Sequence, residues 1–286
     1  MIAAFLHTIR KPVPLALLSM AFLLSLAEWA KPNRPHQVEH SKLPKNEVFD
    51  PQLFRIQNIA ASIRYCDSIY GNSQLKETDT ATYVNLVSRF IKNRFYHGYS
   101  NFSFGYNTIG WALAPILNKD LTATVIPDDI LKFPNGACSQ QSIVFFEILR
   151  RKGFVTRKVG LFDSTSLGGH FVSEIFWQGN WHYYDVNKEP DASILEKLGR
   201  PPLDMILQTP GLIDSVYIGK TDINIQELFK HPVYGKPNQS EAPNATIYQQ
   251  VTKTISLTLP LWVMIAIGIW VLIFGNKKPA EAGANV

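Results

Sequence analysis

Asn135-Gly136-Ala137-Cys138-Ser139-Gln140-Gln141-Ser142 is the stretch on which the fold turns. It delivers a cysteine to the start of an apolar segment, Ile143-Val144-Phe145-Phe146 with Ile148 and Leu149, which closes on Arg150, Arg151 and Lys152 before Gly153. Cations in a last turn and glycine just beyond it are stop signals, so this pattern predicts a helix that begins at the cysteine. A thiol at that end sits where helix N–H groups and the helix dipole favour the thiolate, its reactive form. Cys138 is therefore a candidate nucleophile, with a buried core thiol as the competing reading.

Working outward, the apolar period changes after Gly153. Val155, Arg157, Val159 and Leu161 alternate with their neighbours as in a strand. A small-residue turn ending in Gly168-Gly169 leads to two β-rich runs, His170 to Trp177 and Trp181 to Val186, with Gln178-Gly179-Asn180 as a hairpin turn. Upstream, a helix is expected over residues 51–70, with Leu53, Ile56, Ile59/Ala60, Ile63 and Cys66 on one stripe, so Cys66 reads as core packing. A second helix is expected from about 79 or 80 to 96, burying Tyr83, Leu86, Val87, Phe90 and Ile91.

A cysteine nucleophile needs a base and a group that fixes the base's orientation. His170 opens one strand after a glycine pair, and Asp185 lies on the next strand of the same hairpin. An even-numbered turn is read as leaving a one-residue offset between positions 170 and 185 that a bulge would correct, and an odd-numbered turn sets another register. The sequence permits the His170–Asp185 contact without fixing its phase. Trp111, Asn135 and Gln140 are the candidates for a side chain that stabilises an oxyanion. His182, between Trp181 and Tyr183, reads as a strand residue facing away from Asp185. It forms no metal site with His170, because no third ligand follows at convincing spacing. Glu174 is expected to be an exposed strand charge, or else a charge that tunes the site, and Arg157 a structural partner for a carboxylate.

Gly-Ala-Cys at a helix start, Gly153-x3-Arg157-x-Val159, Gly-His before a strand and Trp181-x3-Asp185, with separations of 32 and 15 residues between Cys138, His170 and Asp185, together resemble the transglutaminase-like superfamily. The resemblance covers about residues 133–187. It implies an α+β, papain-like core in which the cysteine helix packs on an antiparallel sheet. By position it implies Cys138 as nucleophile, His170 as general acid and base, and Asp185 as orienter, without metal or cofactor. Family members often follow the aspartate with proline or threonine, whereas this chain has Val186-Asn187.

Composition narrows the remaining classes. The 286 residues carry a net charge of +5 and an isoelectric point near 9.1, without a Lys/Arg stripe interleaved with aromatics, so nucleic acid is not an expected partner. Two cysteines exclude a disulfide scaffold and leave a catalytic thiol few partners in an oxidising compartment. Residues 1–30 read as a signal anchor or signal peptide and 31–51 as a proline-punctuated linker. Residues 52–250 form the domain, 254–274 an uncharged stretch of 21 residues expected to be a transmembrane helix, and 275–286 a short tail. Two flanking hydrophobic segments would anchor the chain in a lipid bilayer, with the domain facing the periplasm or exterior. The expected function is hydrolysis or transamidation of amide bonds in envelope peptides, proteins or peptidoglycan. The alternative is a non-catalytic binding module within a surface-polymer or protein assembly.

Overall fold

The computed structural model describes residues 48–71, 80–104, 106–162, 169–188, 190–219 and 228–274, with a few helical residues between 16 and 23. The signal or anchor segment, most of the linker, the turn at 163–168 and the tail at 275–286 lie outside the described residues. In chain order the elements are α1 (Ile59–Tyr70), α2 (Thr80–Arg94), β1 (Tyr96–His97), α3 (Thr108–Leu117), α4 (Pro127–Ile130), β2 (Asn135–Gly136) and α5 (Cys138–Arg151). There follow β3 (Val155–Phe162), β4 (Gly169–Trp177), β5 (Asn180–Tyr184), α6 (Ala192–Lys197), α7 (Leu203–Gln208), α8 (Leu212–Tyr217), β6 (Pro232–Tyr234) and α9 (Pro243–Phe274). The class is α+β, as expected. Contacts divide the chain into two units, one of Arg34–Asn101 with Ala123–Thr246 and the other containing Phe102–Thr122 and the chain from Ile247.

In the first unit four strands form an antiparallel sheet in the order β5-β4-β3-β6. Both of its faces are covered. On one face α1, α2 and α5 bury Ile59, Val87, Ile91, Val144 and Phe145 against Ile175, Trp177 and Tyr184 of the sheet. On the other, Val159, Leu161, Val172 and Tyr183 meet α6, α7 and α8 through Leu195, Leu203, Ile206 and Tyr217. The strand alternation that puts odd and even positions on opposite faces thus feeds two apolar cores.

The helix expected over residues 51–70 is broken. A 3-10 turn, Leu53–Arg55, gives way to extended backbone at Ile56, and α1 restarts at Asn58, whose side chain accepts from Ala61 N at 2.8 Å. That cap satisfies one of the unpaired donors at a helix start, which fixes the new beginning. Ala60 is exposed and Ser62 is buried in its place, while Cys66 is wholly buried as expected.

At the end of α2, Arg94 is fully buried and donates to the carbonyls of Ile56, Phe133 and Leu131, with its guanidinium over the rings of Phe54 and Phe95. Burial pushes its pKa down to about 9. Carbonyl acceptors on both sides satisfy the planar fork. Arg94 thereby ties the loop leading to Asn135 onto α2.

In the second unit α3 and α9 are joined through a polar seam. Asn107 Nδ2 donates to Thr252 Oγ1 at 2.8 Å and Tyr248 Oη to Gly110 O at 2.7 Å, while Ser256 Oγ accepts from Ile109 N at 3.1 Å. Gln249, Thr252 and Ser256 are buried at the three-to-four spacing that lines one helix face. No single described helix is long and apolar enough to cross a membrane. Helix α9 begins at Pro243, before the expected 254, and its parts Pro243–Leu259 and Leu261–Trp270 meet at 48°. Pro260 stands at the break, and a proline lacks the N–H that would continue the helical ladder. Together the two parts pass for a span by length and composition.

Candidate active site

The loop before Cys138 is held by its own side chains. Gln140 Oε1 accepts from Ala137 N at 3.0 Å and Ser100 N at 2.9 Å, and its Nε2 donates to Ser100 O at 2.7 Å and Thr124 O at 2.8 Å. The first of these is the return arm of a capping box, from the third helical residue to the cap. Strand β1 pairs parallel with β2, setting His97 beside Gly136. A Cβ at Gly136 would come within 3.2 Å of Gln141 Cγ, so a side chain there would press Gln141 aside by a few tenths of an ångström.

The expected register offset between His170 and Asp185 does not arise. Gln178 at φ 48° and Gly179 at φ 77° make a two-residue turn, and Trp177 pairs with Asn180. Continued along the hairpin, this register sets Asp185 opposite Val172. Directly opposed residues share a face, and His170 lies two positions before Val172, so no bulge is required. His170 Nε2 meets Asp185 Oδ2 at 2.7 Å, leaving Nδ1 to hydrogen-bond the Cys138 thiol.

The sulfur occupies a gap in the sheet. Pairing of β4 with β5 stops at Ser173↔Tyr184, whereas β4 continues beside β3 back to Gly169. Phe171, with no β5 residue opposite, donates its N–H to Cys138. The start of α5 thus takes a position that another rung of strand would fill.

Cys138, His170 and Asp185 are all buried, at 9%, 5% and 2% exposure. Burial pushes the Cys138 thiol up, but the hydrogen bond and charge of His170 and the Phe171 N–H outweigh it, and its pKa falls below the ordinary value. Burial pulls His170 down, and the charge and hydrogen bond of Asp185, with those of Cys138, carry it up to about 10. Burial likewise opposes ionisation of Asp185, yet His170, the Lys188 N–H and the Tyr217 hydroxyl hold it below the usual carboxylate range. Hydrogen bonds and opposite charges, acting against burial, therefore favour a thiolate beside an imidazolium.

Three donors to Asp185 were not legible in the sequence. Tyr217 Oη donates to Asp185 Oδ2 at 2.7 Å and is itself hydrogen-bonded to Tyr183 Oη. Backbone N–H groups of Asn187 and Lys188 donate to Oδ1 at 3.1 and 3.0 Å. Burial followed by the Asp185 charge raises both tyrosines far above their usual range, so they remain hydroxyl donors. A buried tyrosine at a helix end looks like core from sequence alone; only its polar tip signals a partner.

The other candidates fall as follows. Gln140 spends both amide ends on the loop, and Asn135 Nδ2 donates to Tyr99 O at 2.8 Å. Trp111 lies on α3 of the second unit, with about half of its surface exposed. Glu174, expected to be exposed, is fully buried: it is paired with Arg157 at 2.6 Å and accepts from Leu203 N at 2.8 Å. The covering helices α6 to α8 turn that outward position inward. His182 stacks on Trp177 at 3.5 Å, its Nδ1 against the Arg200 carbonyl at 2.8 Å. Both cysteines are free thiols. Among the described residues no group of three His, Cys, Asp or Glu side chains is arranged to hold a metal ion. No protein-family model matches the chain, nor does any curated protein or solved structure.

Proposed function

We propose that the protein is a cysteine-dependent enzyme of the transglutaminase-like kind, membrane-anchored, that cleaves or exchanges amide bonds of envelope peptides or proteins on the periplasmic or outer side. The observation that carries this reading is His170, bonded at 2.7 Å to Asp185 through Nε2 and on its other side to a thiol whose pKa is lowered despite burial. A structural cysteine has no need of a base with its own orienter.

In the proposed reaction the Cys138 thiolate adds to the carbonyl carbon of an amide, and the oxygen takes the negative charge. The first-turn N–H groups of α5 have no intrahelical acceptor and supply hydrogen bonds to that oxyanion. The C–N bond then breaks as the His170 imidazolium gives its proton to the leaving nitrogen, leaving a thioester and a free amine. In the second half His170 takes one proton from water, whose oxygen displaces the thiolate to give a carboxylic acid, which loses its remaining proton to solvent. An amine in place of water gives a new amide. Asp185 stabilises the imidazolium in both halves. The anchoring rests on the uncharged run at 254–274 and on the apolar amino-terminal segment.

Alkylation of the full-length protein by iodoacetamide across pH tests this. Cys138 is expected to react with a midpoint below that of a free thiol, about 8.5, and His170→Ala to move the midpoint upward. A profile for Cys138 like that of a free thiol, unmoved by His170→Ala, would overturn the reading in favour of a non-catalytic binding module.

A further inference from the structure

A cavity of about 200 Å³ opens beside the first turns of α5, against β3 and β4. Val125, Ile143, Phe171 and Ala242 form its apolar wall, and Ser139 and Ser142 stand on its helical side. The charged groups at its margin are already engaged. Lys158 Nζ donates to the Glu241 carbonyl at 2.9 Å, and the Glu241 carboxylate is paired with Arg150 at 3.2 Å. What the cavity offers a ligand is therefore apolar surface.

Two of its lining residues adjoin Cys138 and His170 along the chain. Ser139 follows Cys138, and Phe171 follows His170 and donates its own N–H to the sulfur. Ser142 lies one helical turn beyond Cys138 on the same face of α5. It is 2% exposed, and its buried hydroxyl has no hydrogen-bond partner among the described residues. The volume is below the roughly 300–1,000 Å³ of pockets that hold whole small molecules. It suits one side chain of a longer substrate.

We infer that this cavity receives the side chain next to the carbonyl that Cys138 attacks, and that it selects short uncharged apolar side chains. The inference rests on the enzyme reading above. It adds the substrate class: acyl donors of the alanine to leucine type, with lysine and aspartate rejected because their charges would be stripped of water without a partner.

Peptidyl chloromethyl ketones bearing alanine, leucine, lysine or aspartate at the reacting residue test it on the full-length protein. Each rate of Cys138 labelling is divided by the iodoacetamide rate of the same variant, so that changes in thiol activation cancel. In the natural sequence the alanine and leucine reagents are expected to exceed the lysine and aspartate reagents at least tenfold. Ala242→Leu, which narrows the cavity, should cost the leucine reagent about tenfold relative to the alanine reagent. Ser139→Leu, narrowing it from α5, should do the same. Equal normalised rates for all four reagents, unchanged in the narrowed variants, would overturn the cavity assignment while leaving an activated thiol standing. A Cys138 that reacts with iodoacetamide as a free thiol does would overturn both.

Discussion

Cys66 and Cys138 lie in the same unit and both are buried, yet the surroundings drive their thiols in opposite directions. Cys66 sits within α1, where burial and then the charge of Asp67 push its pKa up to about 12. Cys138 opens α5, where burial also pushes upward but His170 and the Phe171 N–H prevail. Burial is common to the two, so burial does not decide reactivity. The difference lies in what points at the sulfur: an apolar helix flank in one case, an imidazole and an edge N–H in the other. A low dielectric magnifies whichever set of neighbours is present.

The contrast can be broken most severely at the sulfur itself. Cys138→Ala is expected to remove turnover by about 10⁶-fold, the usual scale for a lost nucleophile. Cys66→Ala should leave turnover intact and lower the thermal unfolding midpoint, the mark of a small core cavity. The next effect comes from the base's orienter. Asp185→Asn should lower turnover by about 10²–10⁴-fold and move the Cys138 alkylation midpoint upward, because the imidazolium loses its counter-charge. Tyr217→Phe removes one of the hydrogen bonds to Asp185 and should cost about three- to tenfold, with a smaller shift of the same midpoint. A purely structural tyrosine would leave the midpoint in place.

The smallest effect is on stability against pH. His170 is raised from an ordinary 6.5 to about 10 in the fold, so its contribution is fully present below pH 6.5 and is lost as pH rises through 10. The stability gap between the natural sequence and His170→Gln, followed by urea unfolding, should therefore close across that window. Asp185 acts in the opposite sense: its contribution is present above its unfolded value of 3.8 and is lost as pH falls through its lower folded value.

Much of this arrangement was legible in the chain. Cations and a glycine mark the end of α5, and Gly153 takes φ 88° there. Alternation located β3, and Gln178-Gly179-Asn180 located the hairpin, although Asn180 belongs to β5 and the turn is the two residues before it. What escaped the sequence was set by distant segments. Glu174 is a charge at an outward strand position, and only the arrival of α6 to α8 made it a buried partner for Arg157. Tyr217 lies 32 residues beyond Asp185, with nothing local to connect them. The carbonyls that Arg94 holds belong to Ile56, Leu131 and Phe133, all remote in sequence, so nothing local announced them. Gln140 reads as a polar group near a nucleophile, but the backbone of its own loop claims both of its ends.

The missing rung beside Phe171 has a further use. The amide proton of Phe171 is held by sulfur in place of a neighbouring strand, and the strength of that hold depends on the charge the sulfur carries. Hydrogen exchange at this one amide should accordingly follow the thiol through its cycle, slow in the resting protein and faster once the sulfur is acylated or capped. The sheet carries its own gauge of the nucleophile's state, legible by amide NMR without any substrate that changes colour.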